Sequence, residues 1–221
     1  MLDLGSCAGI GADGYARHFE VTAVDVDPVA LGHNPHPHMV ADMRVIAADI
    51  DYLQRFDFIH ASPPCQGTTR LRSLADAQGA GPGRSQGVSI ATMRALLAAS
   101  GVPYVIENVE GAPLTCPVRL CGSSFGLRVR RHRLFEASAD LPLIGTPCRH
   151  AWQGRPWGVY GSPRDKIPSG GRTVRSIAAG HQAMGITRDV PWKYLAEAIP
   201  PAYTDFIGGQ VAAHLATLGV R

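Results

Sequence analysis

Lysine is nearly missing: of 221 residues only Lys166 and Lys193 carry an ammonium, and arginine supplies the rest of the positive charge. That bias reads as a GC-rich coding sequence rather than a functional signal. Long apolar runs are also lacking, so no stretch reaches the length that crosses a bilayer. The N-terminal MLDLGSCAGIG has neither the basic flank nor the apolar core of a secretory signal, and a cytoplasmic chain with no membrane partner is expected. Cysteine is sparse and odd in number (Cys7, Cys65, Cys116, Cys121, Cys148), which excludes a secreted disulfide scaffold and favours free thiols. No internal repeat is present, so a solenoid is excluded. What remains is a chain of one-domain length whose 45% hydrophobic content can bury a core.

Charge is unevenly placed. Residues 1–60 hold nine acids against Arg17, Arg44 and Arg55. Residues 119–175 hold eleven bases against Glu136, Asp140 and Asp165, and interleave them with Trp152, Trp157 and Tyr160. A basic block mixed with aromatics suits a polyanion such as nucleic acid. Its bland alternative is a solvated basic face.

The apolar pattern alternates between strands and helices. MLDLG reads as a buried strand running into glycines and GADGYARHF as the helix after it. VTAVDVD, MRVIAADI and FDFIHAS follow as second, third and fourth strands. VSIATMRALLAAS has helical spacing, stopped by Gly101 before the strand PYVIENV. This order predicts an open, mostly parallel α/β sheet with ligands at the carboxyl ends of its strands. A catalytic domain over 1–136 and 178–221 is expected, with a small irregular lobe over 137–177. Pro201 is placed in the first turn of a closing amphipathic helix.

Four constellations carry chemistry. Gly9, Gly11 and Gly14 follow the first strand, and Asp25 and Asp27 end the second, the geometry of a nucleotide-cofactor turn with a carboxylate for the ribose. Alone, such a turn often serves only helix–strand packing. Asp49, at the end of the expected third strand, would meet an adenine amino group. Pro63-Pro64-Cys65-Gln66 puts a thiol where an apolar strand opens into a polar loop, an address for a nucleophile, although buried structural cysteines are common. Glu107-Asn108 closes PYVI and can serve the same substrate. Arg131 and Arg133 alternate as on one strand face, suited to phosphates or a pyrimidine carbonyl, or else to guarding an exposed edge.

In this order CAGIG, SPPCQ, ENV, VRRHRLF and AIPPAYTDFIG resemble the motifs of the DNA cytosine-5 methyltransferases, most closely the compact, phage-type members. The resemblance implies a Rossmann-like class I S-adenosylmethionine-dependent methyltransferase fold, with 137–177 as a target-recognition lobe. It implies S-adenosylmethionine held by Cys7, Ala8, Gly9, Ile10, Gly11, Asp25, Val26, Asp49, Ile50 and Pro63. It implies that the Cys65 thiolate adds to C6 of a cytosine swung out of the duplex. C5 then becomes nucleophilic and takes the methyl group, and loss of the C5 proton releases Cys65. Glu107 would hold N3 and the exocyclic amine, Asn108 the cysteine loop, Arg133 the pyrimidine O2, and Arg131 the loop and Glu107. Double-stranded DNA is the expected partner of a monomer, with a partner subunit left open. Gln66, Arg149, Arg155, Arg164, Lys166 and Arg172 would contact it. The departures are the small Gly5, Ser6 and Cys7 where the family has an aromatic residue, Val129 for a glutamine, and Glu197 for an asparagine.

Other readings are RNA as the substrate, a non-catalytic DNA-binding relative, and an exocyclic-amine methyltransferase, whose PP motif ends in a stacking aromatic residue rather than a cysteine. A dehydrogenase explains the glycines and nothing later. Cys116, Cys121, Cys148 and His150 lack paired C-x-x-C spacing, so no metal is assigned and zinc at that set is left open. His33, His36 and His38 decorate a Pro-rich loop. So short a lobe predicts a short or degenerate recognition sequence.

Overall fold

The computed structural model describes residues 1–64, 88–161 and 171–219. Seven strands form one sheet in the order β3-β2-β1-β4-β5-β7-β6: β1 (Leu2–Leu4), β2 (Thr22–Asp25), β3 (His38–Val40), β4 (Ile59–Ala61), β5 (Tyr104–Asn108), β6 (Val118–Leu120) and β7 (Arg133–Ala137). The first five run parallel, and β7 is antiparallel to both of its neighbours.

Strand alternation sorts the side chains between two layers. Leu2, Leu4, Ile59, Ala61 and Ile106 face α3 (Met43–Ala48), α4 (Ile50–Leu53) and α5 (Ile90–Ser100). Phe58, Val105 and Phe135 face α1 (Ala12–Tyr15) and the long closing helix, α9 (Pro201–Thr217). α1 and α9 come so close that a Cβ on Gly14 would lie 2.1 Å from the Pro201 carbonyl oxygen. Gly14 therefore serves helix packing, the plainer of its two readings.

α5 begins and ends as its sequence predicts. Ser89 caps it by accepting the Thr92 N–H at 3.0 Å, and Gly101, at φ +70°, provides the left-handed stop. MRVIAADI is a correction: it folds as α3 and the start of α4, not as a strand. Asp42 accepts the Arg44 N–H at 2.8 Å and Asp49 accepts the Tyr52 N–H at 3.0 Å, so each carboxylate caps a helix. Those local bonds outweigh the β-branched pattern, and His38–Val40 takes the third place in the sheet.

The lobe is irregular but not separate. It contains α6 (His150–Gln153) and a two-stranded parallel ladder, β8 (Trp157–Gly158) with β9 (Arg172–Thr173). Val159 and Val174 are buried in one cluster with Ala8, Ile10, Val129 and the helices α7 (Ile177–Met184) and α8 (Trp192–Glu197). The lobe is thereby seated against the loop that follows β1. Among the described residues no helix is long and apolar enough to cross a membrane.

Candidate active site

A cleft of about 690 Å³ opens at the carboxyl ends of β1, β2, β4 and β5. Register explains its chemistry. Asp3, His60 and Val105 lie side by side across three strands, and Asp25 and Glu107 each sit two residues beyond a partner in that row. All these side chains therefore share one sheet face, and the polar ones gather under the cleft.

One end is built around the loop after β1. Asp25 accepts the Cys7 N–H at 2.8 Å and the Asp27 N–H at 2.9 Å, clasping the loops after β1 and β2. Gly5 has φ +84°, and a Cβ there would stand 2.7 Å from the Ser62 carbonyl oxygen, so only glycine fits. Arg188 locks the same loop by donating to the carbonyls of Ala8 and His33 and to Asp13. Cys7, Ala8, Ile10, Gly11, Asp25, Val26 and Pro63 line the cleft. Gly9 does not; it faces Asn34. Asp49 and Ile50 are likewise off the cleft and exposed, because the third strand ends at Val40 and not at Ile50 as expected. Asp27 caps α2 (Pro28–Leu31) and stands 3.6 Å from Lys193 Nζ.

The other end is built around Glu107, which is buried. Burial raises its pKa above the usual carboxylate value, opposed by the Arg133 charge and a hydrogen bond from Ser62. Arg133 reaches it because Phe135 pairs with Glu107 across β5 and β7, and Arg133 lies two residues along on the same face. Its Nε is 3.0 Å from Glu107 Oε1 but not aligned for a hydrogen bond, and no described residue donates one to that oxygen. Asn108 donates to the Pro63 carbonyl at 2.9 Å, fixing the Pro63-Pro64 backbone at the cleft wall.

Beneath Glu107 runs a buried polar chain that sequence reading did not find. Tyr15 Oη is 2.9 Å from His60 Nδ1, His60 Nε2 is 2.9 Å from Ser62 Oγ, and Ser62 bonds Glu107. Burial holds His60 down to about 3 and lifts Asp3 to about 6. The consequences for stability have opposite signs. As pH falls through 6.5 the unfolded chain protonates its histidine while folded His60 stays neutral, so that share of stability is lost on acidification. Asp3 is protonated in the folded chain below about 6, before the unfolded carboxyl, so its share is gained. Relative to His60→Gln, which keeps Asp3, the natural chain should lose up to about 1.4 kcal/mol per pH unit between pH 6.5 and about 3. Urea unfolding at several pH values checks this, and a difference independent of pH would refute it.

Arg131 is a second correction. It sits before β7 at φ +40° and not on one strand face with Arg133. Its guanidinium is buried and donates to the carbonyls of Val159 (3.0 Å), Ala198 (2.8 Å) and Ala196, while Tyr203 Oη donates to the Arg131 carbonyl at 2.9 Å. Burial lowers its pKa to about 10, which leaves it charged at neutral pH. Arg131 bolts the lobe to the end of α8 and does not touch the cleft. The cleft instead gains Lys193, Tyr194, Glu197 and Ile199 from the segment before α9. No local motif marks Lys193 and Tyr194; only the chain's return across the loop after β1 brings them there.

Arg149, Arg155 and Arg172 are exposed. Arg155 and Arg172 line a second, basic groove of about 570 Å³ with Arg128 and Trp157. The Arg128 and Arg172 guanidinium carbons lie 4.5 and 5.7 Å from the Trp157 ring centroid. Trp152, at 88% exposure, stands clear of the core. Cys65, Gln66, Arg164 and Lys166 lie outside the described residues.

No protein-family model matches the sequence, and no curated protein matches it significantly. Among solved structures, the crystal structure of a mutant of Spodoptera frugiperda DNMT2 matches with a TM-score of 0.53 at 12% identity, over 99% of this chain and 98% of that chain. The likeness is one of fold, and with the strand order above it makes this chain a Rossmann-like, class I methyltransferase fold.

Proposed function

We propose that the chain is an S-adenosylmethionine-dependent cytosine-5 methyltransferase, and that its polymer is duplex DNA. The observation that carries the reading is Glu107 Oε1: a buried acceptor at the cleft floor, beside Arg133, with no described donor. Leaving such an atom unmade is costly unless a ligand completes it. The exocyclic amine of a cytosine offers the missing donor, and a carboxyl with a raised pKa can itself donate to N3.

The cofactor end suits an adenosyl group. Gly5 and the loop to Gly11 leave the backbone open to the cleft, and Asp25 keeps lone pairs available for ribose hydroxyls. S-adenosylmethionine, when bound, supplies an electrophilic methyl group. The chain's own residues do the rest. Asn108 holds the Pro63 carbonyl in place, and Cys65 follows Pro64 directly in sequence. By the motif resemblance, Cys65 adds through sulfur to C6 and is expelled when C5 loses its proton. Arg133 faces the same floor and can take the pyrimidine O2. The fold shared with DNMT2 supports this reading and does not choose between DNA and RNA. Incubation with labelled S-adenosylmethionine and either unmethylated duplex DNA or RNA, followed by nucleoside analysis, tests it. 5-Methylcytosine in DNA is expected. 5-Methylcytosine in RNA alone would overturn the polymer, and label on an exocyclic amine or none at all would overturn the chemistry.

The groove of Arg128, Arg155, Trp157 and Arg172 supports a phosphate-tracking surface, with exposed Trp152 near it in sequence. Arg172→Ala should weaken DNA binding and reduce the slope of log affinity against log salt by about one contact, roughly 0.9, without altering S-adenosylmethionine affinity. Fluorescence anisotropy across a salt series measures both, and an unchanged slope would remove Arg172 from the interface.

A further inference from the structure

We propose that Cys121, His132, Cys148 and His150 bind a zinc ion that fastens the lobe to the edge of the sheet. Their ligand atoms all lie within 4.8 Å of one another. His132 Nε2 is 3.3 Å from His150 Nε2, Cys121 Sγ is 3.2 Å from His150 Nε2, and Cys148 Sγ is 3.6 Å from His132 Nε2. Tetrahedral zinc with bonds of about 2.0–2.1 Å to nitrogen and 2.3 Å to sulfur places its ligands about 3.3 Å apart for two nitrogens and about 3.6 Å for nitrogen and sulfur. The His132–His150 and Cys148–His132 distances match these values, whereas the Cys121–His150 pair is closer and the set as a whole reaches 4.8 Å, so small side-chain adjustments would complete the tetrahedron.

Hydrogen bonding alone accounts poorly for the convergence. His132 Nδ1 is 3.2 Å from Glu110 Oε2, so its ring proton sits on that side and its Nε2 lone pair aims into the cluster. A carboxylate behind a ligating imidazole is the usual support of a metal-bound histidine. Cys121 is buried and the other three are half-buried, so four lone-pair-bearing atoms face one another largely away from water. Both cysteines are free thiols. The set differs from the one marked by sequence. Cys116 is exposed and stays out, and His132, hidden inside VRRHRLF, takes its place.

Four protein ligands leave no open position, so the metal would be structural. It would tie the start of α6 to the end of β6 and the segment before β7, which already pair at Leu120 and Arg133. The pin also reaches the cleft: the His132 carbonyl accepts from Arg133 Nη1 at 3.0 Å, and Arg133 faces Glu107.

The test uses the full chain made without a polyhistidine tag. Elemental analysis should find about one zinc per chain, and cobalt in its place should give the visible bands of a tetrahedral site with a thiolate-to-cobalt band. His132→Ala and Cys148→Ser should lose the metal and melt at lower temperature, whereas Cys116→Ser should keep both metal and melting point. A metal-free wild-type chain that takes up neither ion, or one whose Cys121 and Cys148 are joined when thiols are blocked at lysis, would overturn the proposal. So would loss of metal in Cys116→Ser. If the two ligand variants fail to fold, the cobalt spectrum of the natural chain decides: absent thiolate-to-cobalt absorption contradicts the site.

Discussion

Cys65→Ala is expected to abolish methyl transfer to cytosine while leaving S-adenosylmethionine affinity within about twofold of the natural chain. C5 of cytosine is a weak nucleophile until something adds to C6, and a thiolate is the group suited to that addition near neutral pH. Among the described residues one thiol, that of Cys7, lines the cleft, but it cannot substitute for Cys65. It lies in the loop after β1, and burial, reinforced by the nearby Asp25, pushes its pKa up to about 12, so it stays protonated and inert. Cys121 and Cys148 belong to the cluster at the sheet edge. Single-turnover assays with saturating cofactor, paired with calorimetry for binding, separate lost chemistry from lost affinity. Residual transfer by Cys65→Ala within tenfold of the natural rate would rule out a covalent cysteine.

Glu107→Gln should lower the turnover rate on the order of 10²–10³-fold with little change in cofactor binding. The amide keeps the shape and can still bond a base edge. It cannot carry the proton or charge that a buried carboxyl offers to N3 as charge develops on the ring. Arg133 provides the contrast. Its guanidinium stands 3.0 Å from Glu107 Oε1, so Arg133→Ala should also slow turnover, and the two substitutions together should cost less than the product of their separate effects because they share one contact. A double-mutant cycle on turnover reads that coupling. Strict additivity would mean that Glu107 and Arg133 do not act on one substrate.

Much of this architecture was legible in the sequence because its signals are local. The glycine turn after β1, the helix Ile90–Ser100 between Ser89 and Gly101, the strand Tyr104–Asn108 and the proline that opens α9 each announce themselves within a dozen residues. The strand expected at MRVIAADI failed for a local reason too: two aspartate caps compete with β-branched side chains, and the caps prevail. That error carried Asp49 and Ile50 to the wrong place. Arg131 was misread because alternation assumes extended backbone, and a φ of +40° breaks the alternation two residues before Arg133. What sequence could not supply were meetings between distant segments. Lys193 and Tyr194 arrive at the cleft, Tyr15 reaches His60, and His132 joins Cys148 and His150 only after the sheet is assembled. No periodicity encodes such contacts, since they depend on which strand edges become neighbours.

The measurement that bears most directly on the central claim is trapping with duplex DNA in which target cytosines carry fluorine at C5. If C5 attacks the methyl donor while Cys65 is bonded to C6, no proton remains at C5 to be lost, and the adduct cannot collapse. Incubated with S-adenosylmethionine, the natural chain is expected to form a denaturant-stable complex whose proteolytic map places the modified base on Cys65. Cys65→Ala should form none. A natural chain that transfers methyl groups to ordinary cytosine yet yields no stable complex, or a complex that maps to another residue, would contradict the account.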